Sequence, residues 1–127
     1  MKSKQGLDML DRVRAICTSL PEVEELIDGF GHNVFKVRGK SFVIMGENDG
    51  PPGLSFKSDK EQQYVLLQQG GYVKTPYIGH HGWVSLNTDA DPDWDQLAEL
   101  IKEAYLRAAP KRLVKQMLET GTETDRN

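Results

Sequence analysis

The sequence predicts a small α+β domain, and three features predict it. Apolar residues recur at helical spacing near both ends of the chain, short apolar runs with partial alternation fill its middle, and glycines punctuate the boundaries. The easiest stretch to read is Thr75-Pro76-Tyr77-Ile78-Gly79-His80-His81-Gly82-Trp83-Val84-Ser85-Leu86, a turn feeding a strand, with two histidines and a tryptophan at its mouth. With 127 residues the chain is long enough for one core and too short for two.

Composition narrows the class. Hydrophobic residues make up 38% and charged residues 28%, as in ordinary folded domains. No apolar run approaches the ~20 residues that span a bilayer, and no signal-peptide pattern opens the chain. A cytoplasmic location and no membrane partner are therefore expected. Cys17 is the only cysteine, which excludes an intrachain disulfide and a cysteine-based zinc site. A net charge of −3 works against strong non-specific binding to nucleic acid, which needs an excess of Lys and Arg. Residues 32–86 nevertheless carry six basic and four acidic side chains, so the middle of the chain is mildly basic.

Each element follows from its residues. In residues 7–20, Leu10, Val13, Ile16, Cys17 and Leu20 form a helical stripe, and Pro21 ends it because proline cannot donate the next hydrogen bond. Cys17 on that stripe is expected to be a buried structural thiol. Residues 23–31 suit a first strand with Glu24, Glu25 and Asp28 on its outer face. In Val34-Phe35-Lys36-Val37-Arg38, Phe35 and Val37 point one way and Lys36 and Arg38 the other. Gly39-Lys40 is expected to form the tight turn of a hairpin that returns through residues 41–45. Residues 46–53 are a loop by composition, and Leu54-Ser55-Phe56-Lys57 is a further short strand.

Ser58 or Asp59 caps a helix that reaches residue 69, where Gly70-Gly71 stops it. Residues 72–77 and 82–86 are expected to be extended. That leaves His80 and His81 on extended backbone, with their side chains on opposite faces. Asp91 as N-cap and Pro92 in the first helical position open a helix whose apolar face includes Trp94, Leu97, Ala98, Ile101, Ala104, Tyr105 and Ala108. Pro110 breaks that helix and opens another over residues 111–119. The domain thus covers residues 1–119, and residues 120–127 form a polar tail expected to be flexible.

Several catalytic and metal motifs are excluded. Gly39-Lys40-Ser41 would need a glycine where Val34 stands to be a phosphate loop, and a strand rather than a helix follows it. Counted from Asp89, a calcium loop would need glycine at Trp94 and glutamate at Leu100. There is no Gly-x-Ser-x-Gly elbow, and histidines on opposite faces cannot share one metal. Neither an enzyme, a metal site nor a cofactor is expected.

The candidate site is basic and aromatic. Lys36, Arg38, Lys40, Lys57 and Lys74 are expected on one exposed face of the sheet, with Tyr72, Tyr77, His80 and Trp83 near it. Cations interleaved with aromatics suit a phosphate-bearing partner, although a solvated sheet face carries the same lysines for solubility. A second stripe, Arg107, Lys111, Arg112 and Lys115, would share a face if the helices there were nearly continuous.

Four blocks recur in a known order: Gly29-Phe30-Gly31-His32 leading into residues 34–40, Leu54-Ser55-Phe56-Lys57, residues 75–84, and Ala104-Tyr105 through Ala109-Pro110-Lys111-Arg112-Leu113. On these the chain resembles the MmcQ/YjbR family of small bacterial proteins over residues 7–118. The resemblance implies a CyaY/frataxin-like α+β fold, an antiparallel sheet with helices packed on one side, and a DNA-binding label drawn from a double-wing arrangement. It also raises iron binding, which needs a run of carboxylates. The first helix offers only Asp8 and Asp11, followed by Glu22, Glu24, Glu25 and Asp28.

The expected function is a non-enzymatic binding module, monomeric or weakly dimeric. Lys36, Arg38, Lys40, Lys57 and Lys74 would contact DNA phosphates, while Tyr77, His80 and Trp83 stack on or position the partner. The alternative is a protein-interaction or small anionic-ligand-binding domain in which the same side chains form a pocket. Carboxylate-based metal binding is a third reading.

Overall fold

The structure, a computed structural model, describes residues 1–47, 50–87 and 92–126, with backbone alone from residue 120. The elements in order are α1 (Lys4–Thr18), β1 (Val23–Ile27), β2 (Asn33–Val37), β3 (Lys40–Gly46), β4 (Gly53–Phe56), α2 (Lys60–Gln69), β5 (Tyr72–Lys74), β6 (Val84–Leu86), α3 (Trp94–Ala108) and α4 (Lys111–Arg126). The six strands form one antiparallel sheet in the order β1-β2-β3-β4-β6-β5. The described residues thus make an α+β fold of one sheet and four α-helices.

Directly opposed residues share a face of a sheet, so the register sorts the side chains. Phe35, Val43, Phe56 and Val84 stand opposite one another across β2, β3, β4 and β6, and all four are fully buried. This row is the sheet's half of the core. Val13 and Cys17 of α1 and Leu97, Ile101, Ala104 and Tyr105 of α3 supply the other half. Burial pushes the Cys17 thiol up to about 12, so it is inert. One extra residue bulges β3 between the partners of Phe35 and Lys36. The bulge lets Phe42 join the core edge-on to Tyr105, with ring centroids 5.6 Å apart. The Tyr105 hydroxyl donates to the Pro21 carbonyl at 2.8 Å and ties α3 to the α1–β1 connection.

The other face of the sheet carries a second row, Leu26, Val34, Ile44, Ser55, Ser85 and Val73, running across all six strands. It is apolar toward β1 and hydroxyl-bearing over β4 and β6.

Several local expectations change: the first strand ends at Ile27 and the extended stretch from Tyr72 ends at Lys74. The hairpin turn falls on Arg38-Gly39, with φ of 51° and 82°, and Lys40 already belongs to β3. Two successive positive φ values match the right-handed strand twist, and only one of the two positions is a glycine. His80 and His81 lie on a 3₁₀ turn, Gly79–His81, rather than on extended backbone. Successive side chains there diverge by about 120° rather than 180°, and the two rings sit 3.9 Å apart, centroid to centroid. The N-cap of α3 is Asp93, whose carboxylate accepts from the backbone N–H groups of Asp95 and Gln96; Asp91 lies outside the described residues. Finally, α4 runs past Glu119 to Arg126.

Candidate binding groove

Three connections frame the open face of the sheet. The first is Asp28-Gly29-Phe30-Gly31-His32, between β1 and β2. Asp28 Oδ1 accepts from the backbone N–H groups of Phe30 (2.8 Å) and His32 (2.9 Å), while Oδ2 meets His32 Nδ1 at 3.0 Å. Gly31, at φ 83°, allows the loop to close. The His32 backbone N–H, then that of Phe30 and the His32 ring, hold the Asp28 carboxyl below its ordinary 3.8. An ionised carboxylate only accepts, so Nδ1 carries the proton, and in the neutral form of the imidazole Nε2 is the acceptor.

The second connection joins β3 to β4. Gly46 faces Gly53 across the ladder, and the His32 ring fills the space where a Gly46 Cβ would stand, 2.5 Å from it. A side chain at 46 would evict the imidazole. The third connection leads from β5 to the 3₁₀ turn. Ile78 N–H donates to Pro76 O at 2.7 Å around Tyr77, whose φ is 67°. Those are the marks of a γ-turn with positive φ, a rare and strained conformation for a residue other than glycine.

Together these connections and the strands beneath enclose an open groove of about 740 Å³. Ile44, Gly46, Gly53 and Ser55 line it from the sheet, and Phe30, His32, Pro51, Thr75, Tyr77 and Ile78 from the connections. Its polar floor is a chain of hydroxyls. Ser85 Oγ lies 2.7 Å from Ser55 Oγ and 2.9 Å from Thr75 Oγ1. At the rim, Phe30 is 85% exposed and Tyr77 95% exposed.

The basic residues singled out in the sequence do not form one stripe. Lys36 lies on the open face, directly opposite Glu24 and Ser41. Lys57 continues the ladder through its N–H to Phe42 O at 2.9 Å and turns the same way by alternation. Lys40 and Lys74 pair with the core residues Val37 and Val84 and so belong to the helix side. Arg38 sits in the hairpin turn, 3.2 Å from Glu22.

Of the aromatics, Tyr77 is on the groove rim, and His80 is exposed beside His81. Trp83 is only 7% exposed, which leaves it no face on which a partner could stack. The second stripe is divided by the extended Ala109 between α3 and α4. Arg107 pairs with Asp59, Arg112 with Glu22 and Lys115 with Glu119, while Lys111 is exposed on α4.

Three of the carboxylates that could have formed a metal ridge are committed elsewhere. Glu25 takes a bidentate bond from Arg14 at 2.6 and 2.7 Å and another from Asn33 at 3.0 Å. Glu22 holds two arginines, and Asp28 holds its own loop. Among the described residues no three His, Cys, Asp or Glu side chains gather to hold a metal ion, and no helix is long and apolar enough to cross a membrane.

The groove's key residues, Asp28, Phe30, His32, Ser55, Thr75 and Ser85, were not candidates from chemistry alone. The available signal was an aromatic set between two glycines, just after an aspartate and just before a histidine, a composition suited to a built loop rather than a linker.

Fold and site together define a small α+β domain with one antiparallel sheet, helices on its core face and a groove on its open face. The chain belongs to the YjbR family, whose model matches residues 18–107. It is also similar to a solved structure, that of Deinococcus radiodurans protein DR2400, described with the domain DUF419. Identity is 27%, the match covers 84% of this chain and 86% of that one, and the TM-score is 0.68. No curated protein matches the chain.

Proposed function

We propose that this protein is a non-enzymatic binding module that captures a small ligand in the groove on the open face of its sheet. The observation that carries this reading is the rim. Phe30 and Tyr77 are almost fully exposed, and Tyr77 is held there by a backbone conformation that costs on the order of 1–3 kcal/mol. Strain of that kind persists where the surroundings enforce it, and it clusters at binding sites. The volume of about 740 Å³ falls within the range of small-molecule sites, and an apolar lining with a few convergent polar groups is their usual composition.

A second reading, nucleic-acid binding, is favoured by Lys36 and Lys57 lying on the same face as the groove. The finer fold reading, CyaY/frataxin-like with double wings, belongs with it and is supported by the helices packed on one side of the sheet. The pairing of Arg38, Arg107, Arg112 and Lys115 with carboxylates weighs against a broad phosphate contact.

The deciding experiment is amide chemical-shift mapping of the full chain against a set of small uncharged aromatic fragments and, separately, duplex DNA. Fragment-induced shifts confined to residues 28–32, 50–55 and 75–78 are expected. Shifts from duplex DNA centred on Lys36, Arg38 and Lys40, with none from any fragment in the groove, would sink the ligand reading.

A further inference from the structure

We infer that the occupant of the groove is an uncharged planar heteroaromatic ring of nucleobase type, stacked against Phe30 and Tyr77 with its hydrogen-bonding edge turned to His32, Ser55 and Thr75. The inference rests on the groove being the contact site, and it goes further by naming the chemistry.

Shape comes first. Gly46 and Gly53 face each other under the groove, and an ideal Cβ on Gly53 would meet nothing nearer than Gly46 O at 3.6 Å. At Gly46 and Gly53 the groove is bare backbone beside the His32 ring, which suits a flat group. The rim offers two aromatic faces, which stack on any planar π-system and confer no comparable gain on an aliphatic ligand.

The polar groups specify an edge with both donors and acceptors. With Nδ1 donating to Asp28, the neutral form of the His32 imidazole has its acceptor at Nε2. Ser85 has a single O–H for two hydroxyl neighbours, so at least one of Ser55 and Thr75 donates to it. That one keeps its lone pairs for a ligand N–H. If Ser85 donates to the other, the other keeps its own O–H for a ligand acceptor. A ring with both N–H groups and unprotonated nitrogens satisfies this set. A hydrocarbon would leave the acceptor and hydroxyls desolvated and unpaired, which is costly.

Charge sets the source. Among the described lining residues there is no Lys or Arg, and the nearest ionised group on the loop is the carboxylate of Asp28. Lys36 and Lys57 share the open face, but neither is among the described residues that line the groove, so no described lining cation would neutralise a phosphate seated in it. The free, neutral ring is therefore the occupant, rather than a nucleotide or a strand.

The test uses the full chain and three probes: adenine, toluene and a single-stranded oligodeoxyadenylate. Each is titrated by amide shift mapping into the wild type and into Phe30→Ala, Tyr77→Ala and His32→Phe, with melting temperatures checking that each variant folds. Adenine should shift residues 28–32, 50–55 and 75–78. Its affinity should fall about tenfold or more in Phe30→Ala and in Tyr77→Ala, the loss of one stacking face. His32→Phe keeps a ring over Gly46 but removes the Nε2 acceptor together with the Nδ1–Asp28 bond, so it should weaken adenine several-fold more than toluene.

Toluene in the groove with adenine excluded would overturn the heteroaromatic assignment while leaving the groove as the site. Neither probe binding would overturn both. Salt-sensitive binding of the oligonucleotide more than tenfold tighter than adenine would replace the free ring with a base in a strand.

Discussion

Asp28 organises the groove with a single carboxylate, because each of its oxygens is aimed at the same five-residue loop. Asp28→Ala should leave the unfolding midpoint nearly unchanged, since the loop is at the surface. Amide exchange at Phe30 and His32 should accelerate, and ligand capture should drop; slow exchange retained in the variant would show that the loop holds its shape without the carboxylate. Tyr77 makes the opposite trade. Tyr77→Gly removes the cost of φ 67° and adds chain entropy to the unfolded state. The melting temperature should hold steady or rise while binding is lost, and a clear drop in melting temperature would mean that the tyrosine packs rather than binds.

Glu25 gives the fold a pH dependence. The Arg14 guanidinium, helped by Asn33 and opposed by partial burial, holds the Glu25 carboxyl below its ordinary 4.5. The folded state therefore favours the ionised form, and its contribution is present above the ordinary value and lost as pH falls through the lowered one. Because the Arg14 side chain is 43% exposed, solvent screens the pair. Glu25→Gln should cost only about 1 kcal/mol at neutral pH. Urea titrations of both proteins should converge as pH falls below the ordinary carboxylate range; a gap that stays constant with pH would assign the loss to packing.

At the level of elements, the connection from β5 to β6 depends most on its exact residues. Gln63 of α2 donates to the carbonyls of Gly79 and Trp83 at 2.8 and 2.9 Å and holds the 3₁₀ turn against the helix. Gly82 follows at φ 97°, where an added Cβ would lie 2.8 Å from Ser58 O and 2.9 Å from Asp59 Cα. Backbone cannot step aside as a side chain can, so Gly82→Ala should cost about 3 kcal/mol through strain and overpacking together. Urea unfolding followed by tryptophan fluorescence reads this directly, and a loss below about 0.5 kcal/mol would mean that the turn shifts freely.

The same connection marks where sequence patterns stop being informative. The stripe in α1 and the Phe35/Val37 alternation were legible because burial imposes a period. A 3₁₀ turn of three residues has no period to detect, and His80-His81 between glycines reads equally well as extended chain. The hairpin turn was displaced by one residue because Arg38, not only Gly39, adopts positive φ, with Glu22 bridging to its guanidinium.

On the scale of the whole molecule, the fold class and the family were legible but the strand order was not and the site was only partly so, because a groove is made by residues distant in the chain. Phe30 and Tyr77 come from opposite margins of a six-stranded sheet, and only the strand order brings their connections onto one face. The basic residues fail in the converse way. Their spacing suggested a single face, but cross-strand register sends Lys40 and Lys74 to the side opposite Lys36, and carboxylates meet Arg38 and Arg112. This dispersal has a measurable consequence. Affinity for duplex DNA scales with the number of phosphates neutralised at once, each released counterion adding to the salt dependence. With a net charge of −3 and its cations divided between faces, the protein should bind duplex DNA no tighter than about 10⁻⁴ M at physiological salt. Replacing Lys36 and Lys40 together by glutamine should leave that weak signal and its salt slope nearly unchanged, since the two never face one partner. Fluorescence anisotropy of a labelled duplex at low and physiological salt measures both quantities. Micromolar binding whose slope falls by about two in the double variant, one for each lost phosphate contact, would restore the basic residues as the working surface.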